Sequence, residues 1–162
     1  MQRFDNLISD KSIQYVFNLY HNLSNQVVID GQTVDRHAPS AIGHFMLSKF
    51  TAEEFEPVWQ EVKQQITGYD LVYARVLKYN RGCFIQPHTD SYKQGQQDSD
   101  MSLIIQLNDP STYAGGLPTV DEESLYLNQG DAVMYSYDQT HGVNPVRKGI
   151  RYVVNLRLKK VK

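Results

Sequence analysis

The sequence predicts a mainly β domain, a barrel or double-sheet jelly roll, with supporting helices at its N-terminal end. Three observations predict it. The apolar period changes from helical to alternating at Gly68. Beyond that glycine, short apolar runs recur at close spacing, separated by turn residues. The 162 residues contain no internal repeat and no linker-like stretch, which fits one domain of ordinary size. The expected division is helical support over about 1–68 and a β core over about 69–160.

The first helix is marked by Ile13, Val16, Phe17 and Tyr20, spaced i, i+3, i+4, i+7, with Asp10 as the expected N-cap. The polar stretch Asn25 to His44 reads as a loop with short strands. A second stripe runs through Phe55, Val58, Trp59, Val62 and Ile66. Thr51 with Glu54 resembles a capping box, while Pro57 moves the expected helix start to Glu56, and Gly68 is the expected stop. Strands are then expected at Leu71–Tyr79, Met101–Leu107, Asp121–Leu127, Ala132–Tyr137 and Ile150–Leu158. Turn signals fall at Asn80–Gly82, Asn108–Pro110, Gly115–Gly116, Gln129–Asp131 and Lys148–Gly149. Ser91 to Asp100 is polar and follows a cluster of candidate ligands, the place for a lid.

Composition excludes several classes. Hydrophobic residues make up 41%, no apolar run is long enough for a membrane helix, and the first residues lack the apolar centre of a signal peptide. A lone cysteine, Cys83, excludes an internal disulfide framework. The expectation is a cytoplasmic protein of a reducing compartment. Net charge is −2 with no long basic run, which argues against a nucleic-acid partner. Most of the eleven tyrosines fall where strands are expected.

The chemistry lies in His88-Thr89-Asp90, with His141 downstream and Arg151 ten residues further. Residues i and i+2 of a strand share a face, so His88 and Asp90 point together. Two imidazoles and a carboxylate can hold one face of an octahedral iron(II) and leave the other open to ligands. Pro87 cannot donate to a ladder, so the strand ends or is at an edge there. The planar fork of Arg151 suits a bidentate carboxylate contact.

The segments YNRGCFIQPHTD (79–90), LIIQLND (103–109), YAGGL (113–117), Gly130-Asp131 and the stretch from His141 to Arg151 carry a resemblance. Over Leu71 to Leu158 the chain resembles the 2-oxoglutarate- and iron(II)-dependent dioxygenases, and within them the prolyl 4-hydroxylase-like branch. The resemblance implies a double-stranded β-helix, with His88, Asp90 and His141 as catalytic iron ligands. It implies that Arg151 binds the distal carboxylate of 2-oxoglutarate and that Tyr79 lines the co-substrate pocket. It implies consumption of O2 and conversion of 2-oxoglutarate to succinate with hydroxylation of a C–H bond, with ascorbate as an accessory reductant. Asp90 favours hydroxylation over halogenation, which would need a coordination position in place of that carboxylate. The chain departs from the branch at Ile85, where a second aromatic is usual, and at Gln106, where some members have tyrosine.

Four residues are candidates for substrate contact. Asn155 and Arg157 share the face of Arg151 by period two, Arg75 shares one with Tyr73, Leu77 and Tyr79, and Tyr92 lies in the expected lid. Arg157 either anchors substrate or reaches solvent as its strand ends. His21, His37 and His44 lack ligand partners at convincing spacing, although His37 would reach substrate if its loop covered the mouth; Cys83 lacks a base, and Gly115-Gly116 is a turn rather than a phosphate cradle. The leading substrate is a peptidyl proline. A free amino acid or small metabolite is the alternative. A nucleic-acid demethylase is a third reading, to which Arg157, six residues after Arg151, superficially conforms. A barrel that binds metal without activity is the non-enzyme reading.

Overall fold

A computed structural model of the chain describes residues 1–24, 35–37, 43–90 and 99–162. Its strands in chain order are β1 (Gln2–Phe4), β2 (Asp35–His37), β3 (Gly43–His44), β4 (Met46–Thr51), β5 (Tyr69–Tyr79), β6 (Phe84–His88) and β7 (Met101–Gln106). They continue with β8 (Ala114–Gly115), β9 (Pro118–Val120), β10 (Glu123–Ser124), β11 (Ala132–Ser136), β12 (His141–Val143), β13 (Val146–Lys148) and β14 (Arg151–Lys160). Two helices, α1 (Asp10–Ser24) and α2 (Glu56–Val62), complete the framework. No described helix is long and apolar enough to cross a membrane.

The described strands form two antiparallel sheets and a ribbon. The large sheet has the order β1-β11-β7-β14-β5-β4-β2, the small one β10-β9-β12-β6-β3, and β13 pairs with β8. This is the expected jelly roll. The large sheet is covered on both faces, so its central strands β7 and β14 are buried along most of their length. On β14, Val154, Leu156 and Leu158 join the core beneath the helices with Val16, Tyr20, Val58, Trp59 and Val62. The alternate residues Arg151, Val153, Asn155 and Arg157 line the space between the sheets. The same alternation sends Leu103 and Ile105 of β7 to the helices and Ile104 inward.

Local expectations meet four corrections. Ser9, not Asp10, caps α1: its Oγ accepts from the Ser12 N–H at 3.3 Å, and Asp10 is already helical. The Thr51/Glu54 pair forms its reciprocal bonds, 3.0 and 3.1 Å, on the turn before α2 rather than at its cap. Pro57 sets the regular start at Glu56, as its missing N–H requires, and Gly68 (φ +83°) turns the chain into β5. The first 68 residues are not purely helical, because β1 and β4 extend the large sheet at opposite sides. The run Asp121–Leu127 is a strand only over Glu123–Ser124. Asp121 (φ 48°) and Glu122 (φ 69°) form the two-residue turn of the β9–β10 hairpin, and Leu125 and Leu127 enter the core from irregular backbone. Asp131, part of the Gly-Asp motif, is buried structure: it accepts from the backbone N–H groups of Asn6 and Asn128, both at 3.0 Å, and so binds β1 to the sheet.

Candidate active site

The triad is built by strand pairing. His88 ends β6 and His141 begins β12, and the two are direct cross-strand partners. Their rings stand 4.4 Å apart between centroids. Each Nδ1 is within hydrogen-bond distance of a backbone carbonyl, His88 of Gln86 at 2.9 Å and His141 of Gln139 at 3.0 Å. With Nδ1–H donating there, each Nε2 keeps a lone pair for the site, the tautomer a metal ligand needs. Asp90 lies just past the strand end, where its backbone N–H donates to the Tyr137 carbonyl at 2.9 Å. Its Oδ1 faces His88 Nε2 at 3.4 Å and His141 Nε2 at 3.6 Å, and the three ligand atoms lie within 4.8 Å of one another. This mixed nitrogen and oxygen donor set on one side of a cavity fits iron(II).

Gly142 permits the strand pairing that joins the histidines. A Cβ there would stand 2.8 Å from the Ile85 carbonyl oxygen and 3.0 Å from Pro87 N. On the β3 side, the described pairing of β6 ends at Ile85, before Pro87, which has no N–H to donate.

Arg157 does not reach solvent. It is 8% exposed, and its Nη1 donates to Asp90 Oδ2 at 2.8 Å and to Ser102 Oγ at 2.6 Å, while Nε donates to Ser99 Oγ at 2.9 Å. Burial alone would raise the Asp90 carboxyl. The nearby His88 imidazole and the hydrogen bond from Arg157 outweigh it and hold the group well below the ordinary carboxylate range. Arg157 thus fixes the oxygen that faces away from the histidines. Burial pushes the His141 imidazole down, toward the neutral form a ligand requires.

A cavity of about 750 Å³, counted to its open mouth, runs inward from the triad between the sheets. Arg151, 1% exposed, lies against it, and the cross-strand register sets Arg151 opposite Tyr79. Its Nε donates to Gln106 Oε1 at 3.0 Å, and its guanidinium carbon stands 5.4 Å from the Tyr79 ring centroid. Both terminal nitrogens, Nη1 and Nη2, are buried; the neutral Tyr113 hydroxyl lies near the guanidinium, but neither nitrogen has a partner of good geometry and neither has a counter-ion among the described residues. Gln106 is itself fixed: its Nε2 donates to the Asn108 carbonyl at 2.9 Å and to Asn108 Oδ1 at 3.2 Å. Gly116 (φ +66°) lets the YAGGL turn pass against the arginine, since a Cβ would stand 3.3 Å from Arg151 Cδ and 2.8 Å from Val146 Cγ2. Burial pushes the Tyr79 phenol up to about 12, with Arg151 and Arg75 opposing the shift, so it stays a neutral donor.

The structure therefore brings His88, Asp90, His141, Arg151, Tyr79, Arg75, Asn155 and Arg157 to one cavity. Tyr92 and residues 91–98 of the expected lid lie outside the described residues, as do the side chains of His37 and His44. His21 packs against Phe17 and Tyr20 of α1 instead of the site, and Cys83 is buried and does not line the cavity. Ile85 lines the cavity in place of an aromatic. Sequence reasoning missed Tyr135, whose ring lies tilted against His141 with centroids 4.4 Å apart. Period two along β11 puts Tyr135 on the face of Val133, which was the available signal. It also missed the two serines that hold Arg157, and nothing in their local sequence marks them.

The donor set, with a buried guanidinium in the same cavity, fits one class: a non-haem metal site beside a cation in a jelly roll. Comparison with known proteins agrees. The family model described as "2OG-Fe(II) oxygenase superfamily" matches residues 74–158, so the chain belongs to that superfamily. The family implies iron(II), 2-oxoglutarate, O2 and an organic substrate. Similar curated proteins include PKHD-type hydroxylases. One from Maricaulis maris is 36% identical over 83 residues, 49% of this chain and 38% of that protein. One from Thermosynechococcus vestitus is 37% identical over 100 residues, 57% of this chain and 43% of that protein. The chain spans about two fifths of the length of these relatives. Among solved structures, a Pseudomonas putida prolyl-4-hydroxylase superposes with a TM-score of 0.72 at 12% identity, covering 99% of this chain and 92% of that one. The viral collagen prolyl hydroxylase of Paramecium Bursaria Chlorella virus-1 gives 0.66 at 14%, covering 99% and 96%. At these identities the likeness is one of fold.

Proposed function

We propose that this chain hydroxylates a C–H bond with O2, converting 2-oxoglutarate to succinate and CO2, and that its substrate is a prolyl residue of a peptide or protein. The observation that carries the reaction class is Arg151: a buried guanidinium whose two terminal nitrogens lack partners, in the cavity that begins at a His-Asp-His cluster. A buried cation without a counter-ion is costly, and a carboxylate supplied by a ligand removes that cost. His88, Asp90 and His141 would hold iron(II), and Arg151 the distal carboxylate of 2-oxoglutarate. The iron with its co-substrate, when bound, supplies the oxidation. Tyr79 and Gln106 orient the arginine, the two Nδ1 contacts fix the histidine tautomers, and Arg157 holds the far oxygen of Asp90. The apolar lining of Leu77, Ile104, Val133 and Val153 limits water around the reacting atoms. Ascorbate enters as an accessory reductant.

The prolyl substrate rests on likeness to prolyl hydroxylases in fold, an analogy. A second reading, a free amino acid, is favoured by one observation: Arg75 and Asn155 leave further polar atoms unpartnered in the cavity. The nucleic-acid reading loses its support, because Arg157 is engaged by Asp90 and two serines. The experiment is incubation with iron(II), 2-oxoglutarate and ascorbate, monitoring succinate, and mass spectrometry of prolyl peptides. A +16 Da product supports the full reading. Succinate release with no prolyl product rejects proline as the substrate, and no succinate with any substrate rejects the reaction class.

A further inference from the structure

Along β5 and β14 the register places Tyr79 opposite Arg151, Leu77 opposite Val153, and Arg75 opposite Asn155. All of these line the cavity. Asn155 is 4% exposed, and among the described residues neither its Oδ1 nor the buried Arg75 Nε has a hydrogen-bond partner. The Arg75 guanidinium carbon stands 5.9 Å from the Tyr73 ring centroid, and Lys49 Nζ stands 4.1 Å from the same centroid. Among the described residues, no carboxylate pairs with Arg75 or Lys49. The cavity wall here carries the Arg75 cation, and it holds a buried donor and a buried acceptor on cross-strand partners.

We propose that Arg75 and Asn155 form the substrate-anchoring subsite, and that the group it takes is an α-amino-acid unit: an oxygen of a carboxylate or backbone carbonyl on Arg75, and an N–H on Asn155, which in a prolyl peptide comes from the residue after the proline, since a peptidyl proline has none. The proposal rests on the reading that Arg151 holds 2-oxoglutarate. Three arguments carry it. Arg157 is engaged and Arg151 is assigned to the co-substrate, so Arg75 is the cavity arginine left over. Whichever way the Asn155 amide is turned, it presents an acceptor and donors, and 2-oxoglutarate as a dianion offers acceptors only. A ligand carrying N–H beside an oxygen satisfies both residues. Finally, Arg151 and Asn155 are four residues apart on β14, about 13 Å at strand rise. Five carbons joined by bonds of about 1.5 Å span at most about 6 Å, so a co-substrate held at Arg151 need not extend to Asn155.

The unit has two sources, a free amino acid or a peptide backbone, and the test separates them. Zn(II)-loaded protein with saturating 2-oxoglutarate is titrated calorimetrically with the twenty L-amino acids and with their N-acetyl-N′-methylamides. The free amino acids report a carboxylate on Arg75, the capped series a backbone carbonyl. The expectation is that members of one series bind the wild type. Arg75→Met and Asn155→Leu should each weaken that binding about 10- to 100-fold, while the affinity for 2-oxoglutarate stays within about twofold. Arg75→Lys should restore part of it. If Arg75→Met does not fold, Arg75→Gln takes its place. The proposal is overturned if neither series binds, if the variants bind it unchanged, or if they weaken 2-oxoglutarate instead, which would assign the subsite to the co-substrate. Failure of the underlying reading looks different: the wild type itself would not bind 2-oxoglutarate.

Discussion

Gln106 should control the affinity for 2-oxoglutarate without touching it. Its Oε1 holds Arg151 Nε at 3.0 Å, and its own amide is anchored on Asn108. That bond aims the two unpartnered nitrogens of the guanidinium into the cavity. Gln106→Leu leaves a buried, charged donor unmet, a cost of about 1–3 kcal/mol in stability. It also frees the fork to rotate, so one of two charge-assisted bonds to the ligand carboxylate is lost or lengthened. A bond of that kind contributes about 1.5–3 kcal/mol, so 2-oxoglutarate should bind about 10- to 100-fold more weakly. Gln106→Glu tests the charge with nearly the same shape. It sets a carboxylate against Arg151 and repels the incoming one, by about 3 kcal/mol for charges some 5–6 Å apart at an effective dielectric of 20, a weakening beyond about 100-fold. The assay is calorimetric titration of 2-oxoglutarate into Zn(II)-loaded protein, with thermal unfolding in parallel. Affinities within twofold of wild type for both variants would refute the orienting role.

Other outcomes follow from the same geometry. Arg157→Met should weaken metal binding about 10- to 100-fold, read by competition with a chelating dye; losing the cation alone would strengthen the attraction of Asp90 for metal, so an increase in affinity would refute the positioning role. Gly142→Ala forces β12 from β6 through its contacts with Ile85 and Pro87 backbone, so stability should fall by about 1–3 kcal/mol together with metal affinity; loss of one without the other would separate the strand contact from the site. The depressed Asp90 carboxyl stabilises the apoprotein at pH values above its unfolded pKa, and that contribution is lost as pH falls through the folded value. Asp90→Asn should therefore flatten the acid limb of apoprotein stability, and an unchanged limb in urea titrations across pH would refute the assignment.

Much of the site was legible because strands have a period of two and the candidate ligands sit on strands or directly after one. His88 and Asp90 two residues apart, and Arg151, Asn155 and Arg157 on one face of β14, needed only that rule. Arg157 shows where it stopped. The pattern placed it inward, but the choice between substrate and Asp90 depended on Ser99 and Ser102, which arrive from other parts of the chain. Gln106 read as a departure from the family, yet its buried amide is what aims Arg151. The Asp121–Leu127 run failed because its alternation is interrupted by two residues of positive φ, which side-chain pattern does not reveal. The short strands β8, β9, β12 and β13 escaped detection because two or three residues are too few to show a period.

By itself, the sequence pointed to the mainly β architecture, to the 2OG-Fe(II) oxygenase superfamily and to the residues proposed to hold metal and carboxylate. These depend on residue type and local spacing, which a chain carries before it folds. Only the tertiary structure decided which polar groups find partners. It gave Asp90 and two serines to Arg157, gave Gln106 to Arg151 Nε alone, and left Arg75 and Asn155 unmet in the cavity. Hydrogen bonding between residues distant in sequence is set by strand register and sheet packing, so whether a side chain is structural or waits for a ligand is settled only when the sheets close on each other.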